Sequence, residues 1–151
     1  MITNISIFDM DGTIIDSSHR QVTLPDGTLD LSAWIENCSP EMIFQDTVLP
    51  LAQQVRKRQK AGDYVLICTA RVMSKADYEF LMDNGICPDK IISRPVGNSE
   101  PDGQLKAKQL SKLFNLKQFK RASKIMFDDA ASVRTALRKI GIAVLHPRKV
   151  H

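Results

Sequence analysis

The stretch Ile5-Ser6-Ile7-Phe8-Asp9-Met10-Asp11-Gly12-Thr13 decides the fold. An apolar strand runs into two aspartates one residue apart, and a Gly-Thr turn follows at once. Residues i and i+2 of an extended segment share a face. Asp9 and Asp11 are therefore expected to start out on the same side, before Gly12 opens the strand end to solvent. One carboxylate of such a pair can attack while the other handles a proton, and the pair can recruit a hard cation.

Working outward, residues 4–9 read as the first strand. Residues 14–40 are irregular, with a turn at Pro25-Asp26-Gly27, a small hairpin around Leu24 and a short helix over 30–37 capped by Asp30. The apolar stripe Ile43, Val48, Leu51, Ala52 and Val55 predicts one helix from about 40 to 60, ended by Ala61-Gly62. Residues 64–68 form a continuous apolar run, the mark of a strand buried on both faces. A helix over 74–84, a strand over 90–93, a turn-rich loop over 95–103 and a helix over 104–114 follow. A strand over 123–127 leads into Asp128-Asp129, then come a helix over 130–139 and a strand over 142–145. Strands alternating with helices imply right-handed βαβ crossovers. The expected class is α/β: a single Rossmann-like three-layer domain over 1–151, with a mainly parallel five-stranded sheet. It carries a small flap and helix insertion at 14–40, after the first strand, and no large cap.

The 151 residues suffice for one domain with a core. With 43% hydrophobic and 25% charged residues, the composition is that of a globular chain rather than a disordered one. No membrane-spanning stretch or signal peptide is evident, so a cytoplasmic location is expected. Cys38, Cys68 and Cys87 lack metal-ligand spacing and read as reduced thiols, with Cys68 buried in a strand. The net charge of +4 suits a polyanionic partner or substrate; solvated lysines on helix faces are the alternative.

In sheets of this kind ligands bind beyond the carboxyl ends of the strands. Those ends carry Asp9 and Asp11, then Thr69, Ala70 and Arg71, then Asp128 and Asp129, while the helix after the third strand offers Lys106 and Lys108. Carboxylates, a hydroxyl and ammonium groups thus converge on one edge, as phosphoryl transfer requires. Mg²⁺ held by Asp9 and Asp128 or Asp129 would neutralise both nucleophile and phosphate. An EF-hand reading fails: the calcium loop needs further oxygen ligands and a Glu at its twelfth position, and here Ile14, Ile15 and Arg20 intrude. The histidines, His151 at the end among them, fall in no ligand pattern.

Asp-Met-Asp-Gly-Thr at 9–13, Thr69 after an apolar strand, a lysine on a later helix and Phe127-Asp128-Asp129 resemble the four motifs of the haloacid dehalogenase (HAD) superfamily of phosphatases. The resemblance implies Asp9 as nucleophile, forming an aspartyl-phosphate, and Asp11 as the proton donor to the leaving oxygen and later the base for water. It implies Thr69 as a ligand of a phosphoryl oxygen, Lys106 as the third-motif lysine with Lys108 as the alternative, and Asp9, Asp11, Asp128 and Asp129 as the metal set. The Asp11 contribution to that set would come from its backbone carbonyl.

Neither gap after the first or third strand is long enough for a large cap, which leaves an open site. Among capless members the chain is most similar to the phosphatase domain of phage-type polynucleotide kinase/phosphatase, though Thr69-Ala70-Arg71 and Ala130-Ala131 depart mildly from that group. No Walker A sequence occurs, so no 5′-kinase activity is expected. The implied function is a Mg²⁺-dependent phosphomonoesterase acting on nucleic-acid 3′-phosphate ends or nucleotides. Its partners would be phosphorylated substrates, DNA or RNA ends among them, with Arg71, Arg94, Lys108 and Lys120 or Arg121 as contacts. The alternatives are a nucleotidase whose site is covered by an oligomer partner, and a non-catalytic nucleic-acid-binding module on the same fold.

Overall fold

The computed structural model describes residues 1–150, with side chains through Arg148; His151 lies outside the described residues. Among them, a parallel sheet of five strands runs in the order β5-β4-β1-β6-β7. The strands are β1 (Asn4–Phe8), β4 (Tyr64–Cys68), β5 (Lys90–Ile92), β6 (Ser123–Phe127) and β7 (Ala143–Leu145). A second, two-stranded antiparallel sheet pairs β2 (Ile15–Asp16) with β3 (Thr47–Val48).

The central strand is β1, flanked by β4 and β6 in parallel register. The chain builds outward from β1 through β4 to β5, then returns to the other flank for β6 and β7. The direction of winding reverses at β1, and such a switch point opens a crevice at the carboxyl ends of the strands. Asp9 emerges there.

Alternation along the strands sends side chains to two cores. Phe8, Val65, Ile67 and Phe127 pack against Val55, Phe80 and Leu81, from α3 (Ala52–Lys60) and α4 (Lys75–Asp83). Ile5, Ile7, Leu66, Cys68 and Met126 pack against Leu110, Phe114, Val133 and Leu137, from α5 (Asp102–Phe114) and α6 (Ala131–Arg138). These are the three layers expected. The helices α5 and α6 approach closely at Gly103, where a Cβ would meet the Ala136 methyl at 3.0 Å. The three cysteines are free, and Cys68 is buried as expected. Among the described residues no helix is long and apolar enough to cross a membrane.

The insertion matches its expected outline. Thr23 and Leu29 bridge across the Pro25-Asp26-Gly27 turn. Asp30 caps α1 (Leu31–Glu36), accepting the Ala33 N–H at 3.1 Å. The single helix expected over 40–60 does not form. It is split into α2 (Pro40–Ile43), β3 and α3. Pro50 disfavours the helical region at Leu49, and the Leu49 N–H instead donates to the Ile14 carbonyl at 2.8 Å. Ile43, Leu51, Ala52 and Val55 still face the core, while Val48 turns outward. The split ties the flap to the segment just after the first motif.

Candidate active site

The strand β1 stops at Phe8, and the next residues coil tightly. The N–H groups of Thr13, Ile14 and Ile15 all donate to the Met10 carbonyl at 3.0–3.1 Å. Asp9 and Asp11 consequently do not stay on one face, as an extended strand would have kept them. Asp9 turns into the crevice and Asp11 turns toward the flap.

Asp9 is buried, and its Oδ1 accepts from Lys106 Nζ at 2.8 Å while Oδ2 accepts from the Thr13 hydroxyl at 3.0 Å. The same ammonium donates to Asp128 Oδ2 at 2.8 Å. Lys106 therefore bridges the carboxylates that follow β1 and β6. It sits inside α5, buried to 2% exposure. Lys108 points to the surface, where it pairs with Glu100 at 3.5 Å. Geometry thus distinguishes the two lysines that sequence order left open.

Asp9, Asp128 and Asp129 each bring one carboxylate oxygen to within 4.8 Å of the others. Burial raises the Asp128 carboxyl to about 6, aided by the charge of Asp9 and opposed by Lys106. Burial likewise raises Asp129 to about 7, reinforced by its contact with Asp9. Burial would discharge Lys106, but Asp9 and Asp128 outweigh it and hold the ammonium well above its ordinary range. Three carboxylates facing one ammonium leave excess negative charge among oxygen donors, which fits a hard divalent cation. The side chain of Asp11 lies outside this cluster.

Asp128 Oδ1 also accepts the Ala130 N–H at 2.9 Å, which orients it at the start of α6. Asp129 packs onto Gly12, whose φ of 79° and missing side chain make room for the carboxylate. Beside Asp129 opens a cleft of about 310 Å³, lined by Gly12, Leu49, Pro50, His146 and Arg148 among others. Nothing local in the sequence marks Leu49 or Arg148 as neighbours of Asp129.

Asp11 accepts from the Ser17 hydroxyl at 2.5 Å and from Arg71 Nε at 3.2 Å and Nη2. Burial pushes its carboxyl up, but the charge and hydrogen bonds of Arg71, then Ser17 and Arg20, outweigh that and hold it below the usual carboxylate range. Arg71 was expected to touch substrate. It is instead 4% exposed, with Nη1 on Asp77 at 2.5 Å and Nη2 3.5 Å from Asp46. Arg20 donates twice to Asp46 at 2.9 Å, and His19 Nε2 lies 2.7 Å from the same carboxylate. This buried network of Ser17, Arg20, Asp46 and Asp77 escaped the sequence reading. Only Asp77 left a trace, in the Ser74-x-x-Asp77 capping box that starts α4.

Thr69 is buried, and its Oγ1 accepts the Arg71 N–H at 3.0 Å. The cap of α4 is Ser74, so Thr69 is not a helix cap. The Ala70 carbonyl accepts from Arg94 Nε at 2.8 Å. Arg94, also expected at the substrate, gathers its own loop through Asn98, Glu100 and Asp102. Lys120 and Arg121 precede β6, whereas Asp128 follows it. A strand of this length is roughly 17 Å long, so these two cations belong to the opposite edge of the sheet.

The open parallel sheet, with its first aspartate at the switch point and a lysine spanning to the second acidic pair, has the fold of haloacid dehalogenase-like proteins without a large cap among the described residues. Solved structures share the fold. A chain of the Pnkp1/Rnl/Hen1 complex superposes with a TM-score of 0.67 at 19% identity, over 96% of this chain and 46% of that one. A haloacid dehalogenase-like hydrolase from Streptococcus pneumoniae gives 0.64 at 16% identity, over 95% and 84% of the two chains. The chain belongs to the bacteriophage T5 5′-deoxynucleotidase family, whose model matches residues 1–151. It is 44% identical over 89 residues to the 5′-deoxynucleotidase of Escherichia phage T5, an overlap of 56% of this chain and 36% of that protein. The chain thus matches about a third of the length of this curated relative.

Proposed function

We propose that the chain is a phosphomonoesterase that removes the 5′-phosphate of deoxynucleoside monophosphates through an aspartyl-phosphate on Asp9. The observation that carries this reading is the single ammonium of Lys106, shared at 2.8 Å between Asp9 and Asp128.

In this reading an Asp9 carboxylate oxygen attacks phosphorus as the bond to the 5′-oxygen breaks, and that oxygen takes a proton relayed by Asp11, which must first leave the Arg71 fork and gain one from solvent. Water then attacks the phosphoryl group, Asp11 takes its proton, and inorganic phosphate leaves with Asp9 restored. Lys106 holds Asp9 oriented and supplies positive charge as the equatorial oxygens gain negative charge. The Thr69 hydroxyl accepts at Oγ1, which leaves its O–H able to donate to one of them. Mg²⁺ held by Asp9, Asp128 and Asp129 would screen the phosphate from the nucleophile. We assign the nucleoside to the cleft beside Asp129, where Leu49 and Pro50 offer apolar surface and Arg148 a cation.

The family and its phage T5 member favour a nucleotide. So does the disposition of the basic residues. Of the cations that would have followed a nucleic-acid strand, Arg71 and Arg94 are engaged internally, Lys108 pairs with Glu100 on the surface, and Lys120 and Arg121 lie at the far edge. A 3′-phosphatase on nucleic-acid ends is the second reading, favoured by the absence of a cap among the described residues. The test is phosphate release with Mg²⁺ from 5′- and 3′-deoxymononucleotides and from 3′- and 5′-phosphorylated DNA, by wild type and Asp9→Asn. Fastest release from the 5′-mononucleotide, lost in Asp9→Asn, supports the proposal. Preference for the 3′-phosphorylated strand transfers it to the second reading, and activity that survives Asp9→Asn sinks both.

A further inference from the structure

The layer formed by α3 and α4 stops short of one edge of the sheet. The helix α3 packs on β4 and β1, whereas β7 is packed by α6 from the opposite side. Val144 faces α6, so its neighbours Ala143 and Leu145 point to the α3 side. Both are exposed there, Leu145 to 37%, and Ile125, the β6 partner of Ala143, is half-buried. All-parallel sheets are found almost only with both faces covered. Here that cover is missing over Ile125, Ala143 and Leu145.

Arg58 of α3 borders this open face. Its guanidinium lies 4.9 Å from the centre of the Phe127 ring, and its Nη1 donates to the Ser6 hydroxyl at 3.2 Å. Its Nε is buried without a partner. Asp63, in the same cleft of about 200 Å³, instead accepts the Ser6 hydroxyl at 2.8 Å. Lys120 and Arg121 stand just before β6. Among the described residues none of these three cations forms an ion pair.

The opposite charge gathers in the flap. Residues 21–45 hold four carboxylates, Asp26, Asp30, Glu36 and Glu41, and no Lys, Arg or His, in a chain of net charge +4. None of the four pairs with a cation among the described residues. On α1, Leu31 and Ile35 lie one turn apart and are 67% and 73% exposed. Val22, whose carbonyl accepts the Asp30 N–H, is exposed at the start of the same helix. An exposed apolar patch rimmed by polar residues marks an interaction surface.

We propose that the open face of β6 and β7 is an interface with a second copy of this chain, which seats its flap there. Leu31 and Ile35 of one copy would lie against Ile125, Ala143 and Leu145 of the other, with the flap carboxylates toward Arg58, Lys120 and Arg121. Each copy carries both surfaces, so a closed pair makes the contact twice. A nucleic-acid strand fits the face less well, because its exposed centre is apolar and Asp63 stands at its border.

Sedimentation velocity over a concentration series tests this interface. The wild type should dimerise below about 100 μM. Ile35→Glu and Ala143→Glu each place a carboxylate at an exposed position of one surface, where the fold does not depend on the residue. Each should raise the dissociation constant about 30-fold or more, the scale of a hot-spot contact. An equal mixture of the two variants should associate more tightly than either alone. In that mixture the intact face of the Ile35→Glu copy meets the intact flap of the Ala143→Glu copy.

A protein that stays monomeric at about 100 μM overturns the proposal, and so does a dimer that either variant leaves intact. Failure of the mixture to recover association also overturns it, because the two surfaces would then not meet each other. Binding of a single-stranded oligonucleotide by a protein that does not self-associate, lost in Ala143→Glu, hands the face to nucleic acid instead.

Discussion

Lys106 and Asp9 lie 97 residues apart in the chain and meet at 2.8 Å in the buried crevice beyond β1. The contact joins the helix that follows β5 to the aspartate that follows the central strand. Removing the cation leaves Asp9 and Asp128 facing each other without compensation. Lys106→Met should abolish turnover and destabilise the metal-free protein by about 3–5 kcal/mol at neutral pH. Denaturant unfolding checks the second part, and an unchanged midpoint would mean that the carboxylates do not depend on the ammonium.

The acidic pair makes metal-free stability depend on pH. The folded-state values of about 6 for Asp128 and about 7 for Asp129 lie above the ordinary 3.8. Between about pH 4 and pH 7 the folded protein keeps protons that the unfolded chain has lost, so stability falls as pH rises through that window. Mg²⁺ needs the ionised carboxylates and opposes the fall. In EDTA the contribution of this pair to Tm should decline from pH 4 to 7, and the increment in Tm on adding Mg²⁺ should grow over the same range. A Mg²⁺ increment that is flat with pH would contradict the pairing.

Gly12 has a φ of 79°, and a Cβ there would overlap the Asp129 carboxylate. Gly12→Ala therefore meets two costs, a left-handed backbone penalty of roughly 1–2 kcal/mol and displacement of Asp129. Because misplacing a catalytic group by an ångström can cost about 100-fold in rate, activity should fall more than stability does. Parallel measurements of kcat and Tm decide it.

Arg148 lines the cleft assigned to the nucleoside. Arg148→Ala should raise KM for the 5′-mononucleotide about tenfold, the scale of one charge-assisted contact, with little change in kcat. An unchanged KM would take the nucleoside out of this cleft.

Lys120 and Arg121 stand at the amino end of β6, remote from Asp128. The double variant Lys120→Ala/Arg121→Ala should leave kcat and KM for a mononucleotide unchanged. A clear rise in KM would show that the substrate reaches the opposite edge of the sheet.

Much of the architecture was legible in local pattern. The apolar runs at 64–68 and before Asp9, with helical spacing between strands, specify a parallel sheet with two covered faces. Asp9, Asp128 and Asp129 were legible because each follows such a run, and a parallel sheet collects strand ends on one edge. The split of the helix expected over 40–60 was not, because the apolar stripe continued through it. Pro50 and the Leu49–Ile14 hydrogen bond decided against the periodicity.

The sequence by itself thus determined the order of the elements and the residue types delivered to the edge, since hydrophobic period and turn chemistry are local properties. Only the tertiary structure decided which charge meets which. Lys106 rather than Lys108 reaches Asp9 because α5 turns that position inward. Arg71 is drawn to Asp11, Asp46 and Asp77. Apart from Arg71–Asp77, six residues apart, these pairings form between segments far apart in the chain, where burial makes an unpaired charge costly, and no spacing along the sequence encodes them.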